Sequence, residues 1–143
     1  MKCVKVIGLI ILLVPCVVMD FRNRTLPLLH MVICGVLGAA VNLLFGFFRF
    51  GELAAGLLPG IFLLTAAALS KGRIGYGDGI LLIAVGLICG LAETLSILIA
   101  ALLLAAAAGG VYLLVRKKPV GTELPFAPFV LAAAGAVMLL SRT

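Results

Sequence analysis

Long apolar runs alternate with short polar clusters along the whole chain. After Lys2 and Lys5, an apolar run extends from Val6 to Met19 and stops at Asp20-Phe-Arg-Asn-Arg24. Pro27 biases Leu26 away from the helical region, so a second helix is expected from Leu28 to about Phe48. Arg49, Gly51 and Glu52 mark a turn. A third helix is expected over Leu53 to Leu69, kinked near Pro59 and Gly60. Ser70-Lys71-Gly72-Arg73 leads into a glycine cluster, Gly75-Tyr76-Gly77-Asp78-Gly79. A fourth helix is expected from Ile80 to Leu91, a fifth from about Leu95 to Val115, and a sixth after the proline-broken segment Glu123-Leu-Pro-Phe-Ala-Pro-Phe129, ending near Leu140. The pattern predicts an all-α polytopic membrane protein of six transmembrane helices in a single domain, residues 1–143. No internal repeat is evident.

The fourth helix is short. It would rise about 18 Å at roughly 1.5 Å per residue, against a hydrocarbon core about 30 Å thick. It must continue past Glu93, cross a locally thinned bilayer, or re-enter the face it left.

Composition narrows the class. The chain is 65% hydrophobic and 11% charged, where soluble domains average about 25% charged residues. The net charge of +6 is not a nucleic-acid signal, because its basic residues sit in short inter-helix loops facing lipid headgroups. Cys3, Cys16, Cys34 and Cys89 lie in apolar runs without a Cys-x-x-Cys pair, and there is a single histidine. Neither zinc nor a disulfide framework is expected, and no cofactor. The first run imitates a signal peptide, but no small-residue cleavage site follows it, so a retained first helix is expected.

Charge also orients the chain. Six spans put the loops at 20–27, 70–78 and 116–125 on one face with seven basic residues: Arg22, Arg24, Lys71, Arg73, Arg116, Lys117 and Lys118. The other face has four: Lys2, Lys5, Arg49 and Arg142. The richer face is expected in the cytoplasm, with both termini outside. A re-entrant fourth helix would reverse the count, which favours a true span.

That topology puts Asp20 and Asp78 on one side at one depth. Asp78 also suits an ordinary helix N-cap. Asp20 is harder to dismiss, since a helix C-terminus disfavours negative charge. Two carboxylates sharing a site do not both ionise readily. The ionised one takes a proton from water while the protonated one polarises a peptide carbonyl, which is general acid–base catalysis without a metal. Helix ends alone would make Asp78 the anionic base and Asp20 the neutral acid. His30 and Asn42 read as interhelical hydrogen-bonders, and Glu52 as a partner of Arg49. Two other functions compete: a small proton- or ion-coupled transporter subunit, whose carboxylates would lie near the midplane, and an inactive scaffold that only binds a partner's helices.

Asp20-Phe-Arg-Asn-Arg-Thr-Leu-Pro27, Gly75-Tyr-Gly-Asp78 and Leu124-Pro-Phe-Ala-Pro-Phe129, in that order, resemble the three motifs of the type IV prepilin peptidases, membrane aspartyl proteases of the Gly-x-Gly-Asp kind. The resemblance implies cleavage of the basic leader of type IV pilin-like precursors at the cytoplasmic face of the cell membrane. It makes Asp20 and Asp78 the catalytic pair and sets Gly75, Tyr76, Gly77, Pro125 and Phe126 against the substrate. Leu81 stands where family members often carry Lys, and Leu28 where they often carry a polar residue. The cysteine-paired segment associated with pilin methylation in longer members has no counterpart here, so neither zinc nor methyltransferase activity is expected.

Overall fold

A computed structural model describes residues 2–23, 27–47, 49–70, 75–116 and 126–140. It contains seven helical segments: α1 Lys2–Asn23, α2 Leu28–Leu44, α3 Phe50–Gly56, α4 Leu58–Leu69, α5 Tyr76–Cys89, α6 Leu91–Arg116 and α7 Ala127–Leu140. The six expected rods are all present, because α3 and α4 form one rod broken at Leu57. The break has the expected cause. Pro59 enters the first turn of α4, where its missing N–H costs nothing but cannot continue α3. Around the break Leu57 N–H turns to Ala54 O at 3.2 Å.

Several boundaries differ from the sequence expectation, two of them for one reason. α1 runs on to Asn23 and α5 starts at Tyr76. An apolar run marks what lipid requires, whereas the helical hydrogen-bond ladder continues into the headgroup layer. Gly77 and Gly79, expected in a loop, are therefore inside α5.

Among the described residues, three rods are long and apolar enough to cross a membrane: Cys3–Arg22, Phe50–Leu69 and Leu91–Val111. The other three, Leu28–Leu44, Tyr76–Cys89 and Ala127–Leu140, are shorter apolar helices. Large apolar side chains face outward on nearly every rod, among them Ile7, Ile11, Leu29, Val36, Leu37, Phe62 and Leu103. An apolar outer surface of this extent suits lipid, not water. The protein is an all-α polytopic membrane protein.

α5 is the central helix. Gly79, Leu81, Leu82, Ala84, Val85, Gly86, Ile88 and Cys89 are all buried, and α1, α2, α3, α4 and α6 pack around them. In lipid the hydrophobic effect does not press helices together, so close packing must. Glycine permits it on two sides. Toward the α3–α4 rod, a Cβ on Gly86 would strike the carbonyl oxygen of Gly56, and one on Gly60 would lie 2.6 Å from the Ile83 nitrogen. Toward α2, a Cβ on Gly35 would lie 3.2 Å from the Ala84 Cα, and one on Gly38 would lie 2.5 Å from Ile88 Cγ1.

The chain reverses at Gly90, whose φ of +84° is a conformation that side-chain-bearing residues rarely adopt. Leu82 and Leu98, equidistant in sequence from Gly90, meet in one cluster with Leu63, so α5 and α6 form an antiparallel hairpin. The hydroxyl of Thr94 donates to Gly90 O at 2.7 Å.

The polar residues flagged as interhelical bonders behave so. His30 Nε2 donates to Ile11 O at 3.0 Å. Asn42 Nδ2 donates to Leu87 O at 2.7 Å and to Ile88 O at 3.1 Å. Glu52 differs in detail, since its Oε2 accepts from the backbone N–H of Arg49 at 3.1 Å and caps α3. The cysteines are free. Cys16 and Cys89 are buried as expected, Cys34 is half-buried, but Cys3 is exposed. Lys5 departs most from expectation. It is 4% exposed rather than at the surface, with Nζ 2.9 Å from Glu93 Oε1.

The seam gives a sharp contrast in tolerance. Gly86→Ala drives a methyl group into a backbone oxygen and should cost about 1–3 kcal/mol. Gly110→Ala meets nothing within 4 Å and should gain up to about 1 kcal/mol of helix propensity. Thermal melting in detergent should rank them Gly110→Ala at or above wild type and Gly86→Ala well below.

Candidate active site

The site begins at the helix ends opposite Lys5. α1 and α5 run antiparallel, because Lys5 near the start of α1 donates to Cys89 O at the end of α5, at 3.3 Å. Asp20 stands fifteen residues beyond Lys5 and Asp78 eleven before Cys89, rises of about 22 Å and about 16 Å. Both carboxyls therefore lie at the same end of the same helix pair, and both are half-buried.

Asp20 sits in the last turn of α1. Its Oδ2 accepts a hydrogen bond from the backbone N–H of Ala127 at 3.2 Å. The local sequence explains why that N–H is available. Phe126 O already accepts from Phe129 N at 3.0 Å and from Val130 N at 3.2 Å, opening α7. Pro128 has no N–H to offer. Ala127 thus carries the unclaimed amide of the first turn, and it points at a carboxylate. Ala127 is fully buried, so water does not compete for it.

Asp78 lies at the third position of α5, not at its N-cap. Gly75 is the N-cap residue, with φ −67° and ψ 126°, and its carbonyl accepts from Asp78 N at 3.2 Å. The Asp78 carboxylate folds back over Gly75, such that a Cβ there would stand 3.1 Å from Asp78 Oδ2. Any side chain at residue 75 would crowd the acid. Tyr76 begins α5 and is exposed, and Gly77 is half-buried.

Each carboxyl therefore faces the start of a helix: α5 for Asp78, α7 for Asp20. N-terminal amides favour the anion. The ranking drawn from helix ends alone counted only the unfavourable C-terminus of α1 at Asp20. The α7 amide opposes that effect, so helix ends no longer assign acid and base.

Of the residues expected against the substrate, Gly75, Tyr76 and Gly77 flank Asp78 directly. The half-buried Phe126 packs on the cluster of Leu63, Leu82 and Leu98 and on the main core, which joins the start of α7 to the α5–α6 hairpin. Pro125 and Glu123 lie outside the described residues. Among the described residues no group of three or more His, Cys, Asp or Glu side chains could hold a metal ion. The Ala127 amide was not singled out from the sequence. Its signal was Pro128, which leaves one free N–H in the first turn.

A family model described as the type IV leader peptidase family matches residues 7–114. The chain belongs to the type IV leader peptidase family. That span takes in both aspartates and the Gly-x-Gly-Asp sequence, and ends short of the α7 amide. The family's activity is proteolytic removal of a leader. No curated protein and no solved structure matches the chain.

Ala127→Pro isolates the amide contact, because proline suits the first position of a helix yet removes the donor. A hydrogen bond to a charged group is worth about 1.5–3 kcal/mol, or roughly tenfold to a hundredfold at about 1.4 kcal/mol per decade. Leader cleavage by Ala127→Pro should fall by that factor with helix content by circular dichroism unchanged.

Proposed function

We propose that the protein is an aspartic endopeptidase that removes the short basic leader of type IV pilin-like precursors at the cytoplasmic face of the cell membrane. Asp20 and Asp78 are its catalytic pair. The observation that carries this reading is the antiparallel α1–α5 pairing with both carboxyls at one end. One carboxylate takes a proton from water, which attacks the scissile carbonyl, while the protonated partner donates to the carbonyl oxygen. As the tetrahedral intermediate collapses, the proton taken from water passes to the leaving amine. No covalent enzyme intermediate is needed.

Gly75, Tyr76 and Gly77 form the approach to Asp78, with the peptide backbone passing the glycines. The face carrying Arg22, Lys71 and Arg73 is itself basic, so charge does not recruit a basic leader. The substrate's apolar helix provides the hold by packing against the lipid-facing rods. The position of both carboxyls at helix ends, away from the midplane, favours peptidase over transporter. The cytoplasmic orientation rests on the charge count. The outer face carries four basic residues against seven inside.

Co-expression with a pilin-like precursor bearing a basic leader tests the proposal. The wild type should shorten the precursor, while Asp20→Asn and Asp78→Asn should each lower the rate by at least about 100-fold. Equal shortening by wild type and Asp78→Asn would remove the aspartic reading.

A further inference from the structure

The end of the bundle opposite the aspartates contains a polar cluster for which leader cleavage has no evident use. Lys5 Nζ, from α1, reaches Cys89 O at 3.3 Å and Glu93 Oε1 at 2.9 Å. Asn42 Nδ2, from α2, reaches Leu87 O at 2.7 Å and Ile88 O at 3.1 Å. These three carbonyls are the last of α5, and no following helical turn exists to satisfy them, because the chain turns away at Gly90. The one before them, Gly86 O, accepts from Gly90 N at 2.8 Å.

Helix ends normally leave their last carbonyls to water. Within a bilayer an unsatisfied carbonyl is costly, so such contacts persist once made. Here the partners come from α1 and α2. Asn42 is 3% exposed and Lys5 4%, and Lys5 also bridges the bend by holding Glu93 on α6. Glu93 Oε2 is buried without a hydrogen-bond partner among the described residues, so the pair is not a simple surface ion bridge.

We infer that Lys5 and Asn42 are positioning residues that lock the axial register of α5 against α1 and α2, and thereby fix Asp78 relative to Asp20 at the far end. Helices are stiff along their axes, so a slip of α5 at Cys89 is a slip of Asp78. The cluster spans the same elements as the site. Lys5 and Asp20 share α1, Cys89 and Asp78 share α5, and Glu93 sits on α6, which packs against α7. The glycine faces at Gly35 and Gly38 bring α2 close to α5, and Asn42 follows them on the same face of α2 by helical spacing.

The inference rests on the peptidase reading, so its test has one readout that needs no activity. Asn42→Asp keeps the shape and removes the donor. Spin labels on cysteines at Phe21 and Tyr76, both exposed, report the α1–α5 register in a background with Cys3 and Cys34 replaced by alanine. Asn42→Asp should shift or broaden that distance distribution while the melting temperature still shows a cooperative fold. Asn42→Gln, which restores a donor, should return it toward wild type. In cleavage assays Asn42→Asp should lower kcat about tenfold or more with KM within twofold. Glu93→Gln, which keeps an acceptor for Lys5, should be milder on both readouts than Lys5→Met.

An unchanged distance distribution in a folded Asn42→Asp protein would overturn the register lock, whatever the enzyme assay shows. A raised KM with kcat intact would also overturn it, since Asn42 would then act on substrate binding. If the wild type fails to cleave any leader-bearing precursor while the distances respond as expected, the peptidase reading fails and the lock stands.

Discussion

The backbone-to-backbone approach of α5 to its neighbours governs the rest of the structure. At Gly86 and Gly56, and again at Gly60, two helices meet with no side chain between them. In lipid, where apolar side chains gain little by leaving the solvent, such contact supplies dispersion that longer side chains would forfeit. It also draws α5 into the centre of the bundle. A helix that begins with a carboxylate is then held on several sides by α1, α2, α3, α4 and α6. Precision at Asp78 follows from that enclosure. Asp78 lies in the first turn of a helix whose next two turns are buried.

Asp20 obtains its place differently. It ends a helix whose outer face meets lipid, and its fixed point is a single amide from the far end of the chain, Ala127 N–H at 3.2 Å. The contact closes α1 onto α7 across more than a hundred residues of sequence. It explains why the segment Phe126-Ala127-Pro128 matters to a site made of two aspartates. Its start is arranged to leave one donor free, and the donor is spent on a carboxylate. Arg22 is exposed, and the contact is made by Ala127 N–H.

Much of this was legible from residue order. Six rods, the break near Pro59, the hydrogen-bonding roles of His30 and Asn42 and the common side of Asp20 and Asp78 all follow from apolar runs, proline and alternating topology. What was not legible depended on neighbours in space. Lys5 looked like a headgroup contact because nothing in sequence pairs it with Glu93, eighty-eight residues away. Gly77 and Gly79 looked like loop because glycine is a poor helix former in water, yet in a buried helix a Gly79 without a Cβ admits Leu64. The Ala127 amide was invisible for a similar reason, since a free N–H names no partner until α1 is beside it. Sequence therefore placed the two acids at one end but did not show that the start of a third helix meets one of them.

The central claim is that Asp20 and Asp78 work as one acid–base unit rather than as two separate contributors. Residues that act as a unit are strongly non-additive. The direct measurement is the single-turnover rate of leader cleavage for wild type, Asp20→Asn, Asp78→Asn and the double variant, with each protein's fold checked by thermal melting. A functional pair predicts that the double variant is no slower than the slower single variant, because losing either acid already disables the other. Losses that multiply across the two sites would contradict the pair and leave the aspartates as independent residues.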